Sequence, residues 1–571
     1  MNNREIADTF EKIADLLEIK GEVIYKVLAY RRAADSLREL VGDVTEYQER
    51  GGFTEIPGVG KAIAEKIEEL LSTGKLGFYE KLIREVPETL TDLLQVPDLG
   101  PKKVGLFWRE LGVVNLKDLE EAAKSGKLRT LAGMGEKSEA KILAGLESLA
   151  RRTERIPLAL AWPAAQEILA KLKPVPAVKI IEVGGSLRRM RATIGDIDLL
   201  AAAEDSKEVM RAFVELPDVS RVLSRGETKS SVEFKDGLRA QLWVYPPQRF
   251  GTALQYATGS KEHNVRLREL AQKQGLSLSD QAIVKPDGSE ILCAEEREVY
   301  EILGLPWIPP ELREDRGEVQ AARKGNLPEL LILDDIKGDL QTHSTWSDGK
   351  KSILEMAEAA RDRGWEYLAV TDHSHSLGVA GGLSEEELRS QHEEIKAVQE
   401  KLGRSFRVLH GVEVEIRADG SLDYDDEVLA EMDLVVASLH SGLRQPRQRV
   451  TERMLNAIRN PHVDIIAHPT GRLIPDREGA DLDMEAIFKA AAEHGVALEI
   501  NADPYRLDLD DVHARRAVEL GVMLAVNSDA HSPEWFDLLH FGVATARRGW
   551  VEPQKVINTW TVDRLLDFLK K

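Results

Sequence analysis

The residues Gly184-Gly185-Ser186-Leu187-Arg188-Arg189 are followed seven residues later by Asp196-Ile197-Asp198. The apolar, β-branched run Val178 to Val183 reads as a strand that opens through two glycines into a helix start, where free backbone N–H groups can meet a polyphosphate. A second strand, Ile194 to Ala201, would carry Asp196 and Asp198 on one face because side chains alternate along a strand. Two carboxylates held that close share a divalent metal more readily than they share a charge. A phosphate cradle beside a metal-binding carboxylate pair is the chemistry of nucleotidyl transfer.

A second set of reactive residues lies in the last third, where twelve of the thirteen histidines fall beyond position 340. Gln341-Thr342-His343 with Ser347-Asp348-Gly349, Thr371-Asp372-His373, Glu413, Leu439-His440, Ala467-His468-Pro469 and Asp529-Ala530-His531 follow short apolar runs, including Tyr367 to Val370, Leu434 to Ala437, Asp464 to Ala467 and Leu524 to Val526. Helical patterns at Ile353 to Asp362, Met484 to His494 and Asp511 to Leu520 intervene. Strand and helix in alternation predict a parallel α/β barrel whose ligands converge at the carboxyl ends of the strands. Five histidines with carboxylates suit Mn²⁺, Zn²⁺ or Fe²⁺.

The elements that must carry these groups belong to several domains, since the chain has 571 residues. One cysteine, Cys293, excludes a disulfide framework and fits a reducing cytosol. No apolar run approaches the roughly 20 residues of a membrane span, so a soluble, cytoplasmic protein with no membrane partner is expected. The net charge of -21 argues against a basic nucleic-acid coat, but most of that net charge lies beyond residue 336. The first 150 residues carry a repeat: Ile56-Pro57-Gly58-Val59-Gly60-Lys61, Val96-Pro97-Asp98-Leu99-Gly100-Pro101 and Leu131-Ala132-Gly133-Met134-Gly135-Glu136, with helical stretches such as Ala62 to Leu71 and Ala140 to Ala150 behind them. Each is a candidate helix-hairpin-helix, in which Gly58, Gly60, Gly100, Gly133 and Gly135 free backbone N–H groups to hold a DNA phosphate without reading a base.

Through these motifs, residues 1 to 315 resemble a family X DNA polymerase of the polymerase beta kind. The resemblance implies a lyase-like hairpin domain over 1–85, with Lys26, Tyr30 and Arg31 as a DNA 5′-phosphate pocket after Tyr25, then a fingers-type hairpin domain over 86–155. A nucleotidyltransferase palm over 156–250 and a thumb over 251–315 follow. Gly185, Ser186, Arg189 and Gly195 match the triphosphate turn, and Asp196 and Asp198 match two ligands for Mg²⁺ or Mn²⁺. Tyr256-Ala257-Thr258-Gly259-Ser260, with Asn264 and Arg268, matches the thumb motif against the incoming nucleotide, and Leu303 to Pro310 the thumb's end. The third catalytic carboxylate falls on Gln241, whose amide cannot accept a proton at pH 7. With Asp236-Gly237 read as a two-residue hairpin turn, Glu233 pairs with Ala240 on the opposite face and cannot substitute. Lys66, at the family's Schiff-base position, lies among Glu65, Glu68 and Glu69, which favour its protonated form; it reads as a lyase nucleophile or as a solvated helix lysine.

Residues 336 to 571 resemble the PHP (polymerase and histidinol phosphatase) family, whose barrel holds up to three metal ions. The resemblance carries His343, Asp348, His373, Glu413, His440, His468, Asp529 and His531 over as ligands, with Gln341 at an opening position that is often histidine. His375, His392, His410, His462, His494, His513 and His540 fall outside the pattern. Residues 316–335 connect the two halves. The joint resemblance is to the bacterial and archaeal fused form. It implies a DNA repair enzyme that binds gapped, nicked or 3′-ended duplex and deoxynucleoside triphosphates, trims 3′ ends at the barrel, could process abasic sites, and fills gaps weakly; a monomer is expected, though no residue pattern fixes the oligomeric state. Two alternatives stay open: a non-catalytic polymerase-like scaffold carrying a nuclease, and a small-molecule phosphatase.

Overall fold

Ile6, Phe10, Ile13 and Leu17 recur at helical spacing along Asn3–Lys20 and are all buried, the one-sided pattern that makes a helix pack rather than stand alone. The computed structural model describes residues 3–39, 44, 45, 47, 52–56, 58–96, 99–131, 133–153 and 155–570; Pro57, Pro97, Asp98 and Ala132 of the hairpin turns lie outside them. The chain divides into two compact units, 1–154 and 155–571.

The first unit is helical. Helices Ile24–Glu39, Lys61–Thr73, Gly77–Glu85, Pro101–Leu111, Leu116–Lys124 and Glu136–Thr153 follow Asn3–Lys20 and share one apolar core. Gly60 and Gly100 are the residues immediately before Lys61–Thr73 and Pro101–Leu111, and Gly135 precedes Glu136–Thr153. Gly58 and Gly133 take positive φ of 81° and 77°, the left-handed turn each hairpin requires.

The second unit opens on a five-stranded sheet: β1 (Ile180–Val183), β2 (Ile197–Ala202), β3 (Val219–Arg225), β4 (Lys229–Phe234) and β5 (Arg239–Tyr245), in the order β1-β2-β5-β4-β3. Helices Leu158–Leu172 and Ser206–Val214 contribute apolar side chains to the cluster on one face. Helices Phe250–Thr258, Lys261–Lys273 and Glu296–Ile302 follow. The connecting stretch 316–335 contains a helix, Glu318–Lys324, whose Val319 and Ala322 join the apolar cluster of the preceding helices.

Seven parallel strands, β6 (Gly338–Asp339), β7 (Tyr367–Val370), β8 (Arg407–Glu415), β9 (Leu434–Ser438), β10 (Ile465–Ile466), β11 (Ala497–Asn501) and β12 (Leu524–Asn527), pair in sequence order. A parallel bridge between Thr342 and Ala530 brings the first and last segments together, so the barrel is nearly closed. The alternation of strand and helix is the one expected, with Ile353–Asp362 and Met484–His494 helical as read.

The strand expected over Ile194 to Ala201 is interrupted: Gly195 and Asp196 form a bend between a short strand Thr193–Ile194 and β2. The hairpin between β4 and β5 is not a two-residue turn. Phe234 pairs with Leu238 and Gly237 has φ 85°, so three residues form the loop and the glycine takes its left-handed position. Glu233 therefore faces Arg239, not Ala240. Paired residues project to the same side, which puts Glu233 on the face of Gln241 and not on the opposite one.

Candidate active sites

In the five-stranded sheet, Asp198 of β2 lies beside Gln241 of β5, and Gln241 lies beside Ser231 of β4. Even-numbered β5 residues are buried under the helices and odd-numbered ones are half-buried on the other face, so Gln241 stands on the open side with the carboxylates. Its Nε2 donates to Asp196 Oδ2 at 3.1 Å. Burial, then the neighbouring Asp196, push Asp198 up to about 7, against the pull of Lys229 and Arg189. A cation between the two carboxylates would remove that cost.

The turn above them tolerates no side chain at Gly185. Its φ is 56°, and a Cβ there would stand 2.1 Å from Asp198 Oδ2. Gly184 N–H donates to the Asp198 carbonyl at 2.7 Å, which fixes turn against strand. Ser186 is half-buried in the short helix Gly185–Arg188, while Gly195 is exposed. Arg189 is buried, donating to the Thr258 carbonyl at 2.6 Å and to Glu314 at 3.0 Å. A Cβ at Gly259 would meet Arg189 Nη1 at 3.0 Å. Asn264 accepts from Gln255 and donates to the Tyr256 carbonyl, leaving the Tyr256 ring 45% exposed. Arg268 donates to the Asn264 carbonyl at 3.4 Å. Turn, carboxylate pair and thumb motif thus converge. Glu233, which the register brings to the same face, is ion-paired to Arg239 at 3.2 Å.

The barrel mouth gathers the other set. Glu413, at the end of β8, is the hub: Oε2 lies 3.4 Å from His343 and 3.3 Å from His373, and Oε1 lies 3.4 Å from His440 and 3.2 Å from His468. Asp529 contacts His343 at 3.0 Å, and Asp348 contacts His531 at 3.2 Å and His373 at 3.6 Å. Three overlapping groups, His343-Asp348-His373-His531, His373-Glu413-His440 and His343-Glu413-Asp529, each bring their ligand atoms within 4.8 Å of one another. Buried Gln341 leaves both amide atoms without a hydrogen-bond partner, as do His343 Nδ1, His373 Nδ1, His468 Nδ1 and Glu413 Oε2. Buried polar atoms are seldom left so; this donor set fits several divalent ions.

Behind these groups stand residues not singled out from sequence. Glu415 accepts from His440 Nδ1 at 2.9 Å and fixes its ring. Glu499, in the middle of β11, accepts from the His468 backbone N–H and the Asn527 side-chain N–H. Asn501 donates to Asp529 at 3.1 Å. Arg506 brings its guanidinium to 4.0 Å from Asp529. Of the histidines set aside, His410 is buried against His392 outside this cluster, and His513 pairs with Asp510.

Carboxylates dominate the mouth's electrostatics. Burial alone would lower His373 and His531, but Glu413 and Asp348 lift His373 to about 9, and Asp348 and Asp529 lift His531 to about 8. Burial would raise Asp348, Glu413 and Asp529, but the imidazoles hold all three below the usual range. A metal must therefore displace protons from imidazoles before it binds. Metal affinity is expected to rise by about ten-fold per pH unit for each displaced proton, to about 100-fold below pH 8 where both rings are charged, and to level off above about 9. Calorimetric titration from pH 6.5 to 9 in buffers of different ionisation enthalpy reads both affinity and proton release. An affinity indifferent to pH would contradict the charged imidazoles.

Among the described residues of the first unit, a Cβ at Gly60, Gly100, Gly133 or Gly135 meets nothing within 4 Å, while Gly58 lies against Arg32 and Ser36. Lys26 and Lys66 both approach the Phe78 ring at 5.4 Å, and Lys66 donates to the Ala62 carbonyl. Tyr30 is buried against Phe10 and Phe78, and Arg31 is held by Asp15 and Glu18 at 3.0 and 2.7 Å. Both lysines thus approach one aromatic ring, whereas Tyr30 and Arg31 are engaged within the fold.

Comparison with known proteins follows this division. A helix-hairpin-helix domain matches residues 1–76, a SAM-like helix-hairpin-helix tandem 90–148, the DNA polymerase beta thumb 253–314 and the PHP domain 339–503. The DNA polymerase/3′-5′ exonuclease PolX of Bacillus subtilis (strain 168) is 42% identical over the whole of both chains. DNA polymerase lambda of Rattus norvegicus is 26% identical over 55% of this chain and 56% of its own. A probable phosphatase of Thermoanaerobacter sp. (strain X514) is 32% identical over 41% of this chain and 94% of its own.

Proposed function

The chain belongs to the family X DNA polymerases that carry a C-terminal PHP domain, and from that premise we propose that it is a DNA repair enzyme which trims 3′ ends at the barrel and fills gaps weakly at the palm. The observation that carries the hydrolytic half is the donor set around Glu413 with its unpartnered buried atoms. Bound there, divalent ions supply Lewis acidity and a water of lowered pKa. Gln341, His343, Asp348, His373, Glu413, His440, His468, Asp529 and His531 would hold them, with Glu413 placed to serve more than one ion. Histidine-rich coordination favours Mn²⁺, Zn²⁺ or Fe²⁺ over Mg²⁺. Arg506 is positioned to attract the scissile phosphate, Glu415 keeps the His440 imidazole in place, and Glu499 holds the backbone of His468.

At the palm, Gly185, Ser186 and Arg189 would cradle the triphosphate and Asp196 and Asp198 hold Mg²⁺ or Mn²⁺. Gln241 offers neither charge nor proton acceptance to the primer hydroxyl. Its hydrogen bond to Asp196 favours a second reading, a palm that binds DNA and nucleotide without turnover. Primer extension and degradation measured side by side with Mg²⁺ and Mn²⁺ separate the two: degradation without extension supports the scaffold. A phosphatase acting on small monoesters is less favoured, because the probable phosphatase matches 41% of this chain whereas the polymerase/exonuclease matches all of it.

We place the working domains at 1–85, 86–155, 156–250, 251–315 and 336–571, in a monomeric cytosolic protein. No helix among the described residues is long and apolar enough to cross a membrane. The hairpins would hold gapped or nicked duplex by phosphate alone, so affinity should ignore sequence and fall with salt. Three N–H contacts at about 0.5–1 kcal/mol each amount to roughly ten-fold or more. Removing residues 1–154 should weaken binding to gapped duplex by that factor in a fluorescence anisotropy titration. Undiminished affinity would leave the hairpins a purely structural part.

A further inference from the structure

Within the second unit one segment, Asp503 to Asp511, touches both the barrel mouth and the palm. Arg506 stands 4.0 Å from the ligand Asp529. Leu507, the next residue, is 1% exposed with φ 47°, and its side chain belongs to the apolar cluster of the five-stranded sheet, with Ile194, Leu187 and Phe541. Asp508 turns back to accept from Thr470 and Gly471 N–H at 3.0 and 2.8 Å, just past His468. Asp511 accepts from Arg548 and Arg316, both at 2.8 Å.

Arg548 continues the connection. Its Nη1 donates to the Arg189 carbonyl at 2.6 Å and to Glu314 at 3.0 Å. Glu314 in turn accepts from Arg189 at 3.0 Å and Arg191 at 3.1 Å. All of these groups except Arg191 and Arg316 are at least four-fifths buried, where ion pairs are weakly screened. The carboxylate of Glu314 thus occupies the arginine that the nucleotide reading assigns to the triphosphate.

We propose that the Arg189–Glu314–Arg548–Asp511 chain couples the two centres, so that nucleotide bound at the palm slows hydrolysis at the barrel. This rests on the reading of both sites given above. A triphosphate competes with Glu314 for Arg189 and repels it toward Arg548. Arg548 then shares its charge less with Asp511, and the segment that holds Arg506 beside Asp529 loosens. Arg548 and Asp511 act here as positioning residues, through Arg506.

The test uses the full chain and bis(p-nitrophenyl) phosphate, a small diester that does not need the DNA-binding modules, with a deoxynucleoside triphosphate added at fixed free Mn²⁺. Nucleotide should lower kcat by about five-fold, the lower end of ordinary coupling, with KM little changed. Glu314→Gln should abolish that inhibition, and Arg548→Lys is the alternative variant should Glu314→Gln fail to fold by circular dichroism. Because Asp511 competes with Glu314 for Arg548, Asp511→Asn should also change nucleotide affinity by several-fold in calorimetry with Ca²⁺. Inhibition through KM, or equal inhibition in the folded variants, would mean that nucleotide enters the barrel and would overturn the coupling. So would nucleotide that binds by calorimetry without affecting kcat. A protein that binds nucleotide but hydrolyses no diester with Mn²⁺ contradicts the hydrolytic reading instead.

Discussion

Asp529→Ala or His343→Ala is expected to lower 3′ trimming by on the order of 10³-fold or more while leaving affinity for gapped duplex within about two-fold. The two side chains touch each other at 3.0 Å and both belong to the group completed by Glu413. Removing either deletes a ligand from that group, and the several kcal/mol that a metal contributes to transition-state charge converts to that factor at 1.36 kcal/mol per ten-fold. DNA binding is assigned to the hairpins of the first unit and to the palm, so it should not follow. The measurement is single-turnover digestion of a 3′-labelled duplex, beside anisotropy on the same DNA. Trimming that survives both substitutions would place the nuclease elsewhere.

The ligand set was legible because each member follows a strand of the barrel, and the carboxyl ends of parallel strands meet at one mouth. The residues behind it were less so. Glu415 stands two residues beyond Glu413 on β8 and Glu499 two before Asn501 on β11, a spacing that shares a face and could have flagged both. Arg506 lies in a loop, and no local pattern announces that it reaches Asp529. The palm taught a different lesson. Asp236-Gly237 reads as a two-residue turn from propensity alone, yet the chain inserts Lys235 as well, and one residue of slip moves a side chain through the sheet. Glu233 thereby changed faces. What keeps it from serving as the missing carboxylate is not geometry of the face but its pairing with Arg239. The helical hairpins were read from glycine spacing, which sets the turns, while the burial of Tyr30 depends on helices distant in sequence and could not be seen there.

The substitution Gln241→Asp should raise primer extension by roughly ten-fold or more in a background made nuclease-dead by Asp529→Ala. In the unmodified chain the Gln241 amide donates to Asp196 and so occupies a carboxylate oxygen that a metal would use. Aspartate at 241 withdraws that donor and adds a charge beside Asp198, already pushed up to about 7 by burial and by Asp196. Three carboxylates so placed repel one another until a divalent cation enters, so the gain should appear as tighter metal binding together with a faster chemical step. The shorter side chain also places a proton acceptor on the row nearest the triphosphate turn, where the primer hydroxyl must lose its proton. Asp196→Ala should erase whatever extension the unmodified chain shows, and Mn²⁺ should support that residual activity better than Mg²⁺, which demands near-ideal octahedral oxygen ligation. Pre-steady-state extension of a one-nucleotide gap at varied metal concentration reads both effects. Glu233→Gln in the same background asks whether the neighbouring carboxylate supplies the residual rate: a loss there, with no gain from Gln241→Asp, would move the catalytic base one row along the sheet and refute the assignment of Gln241.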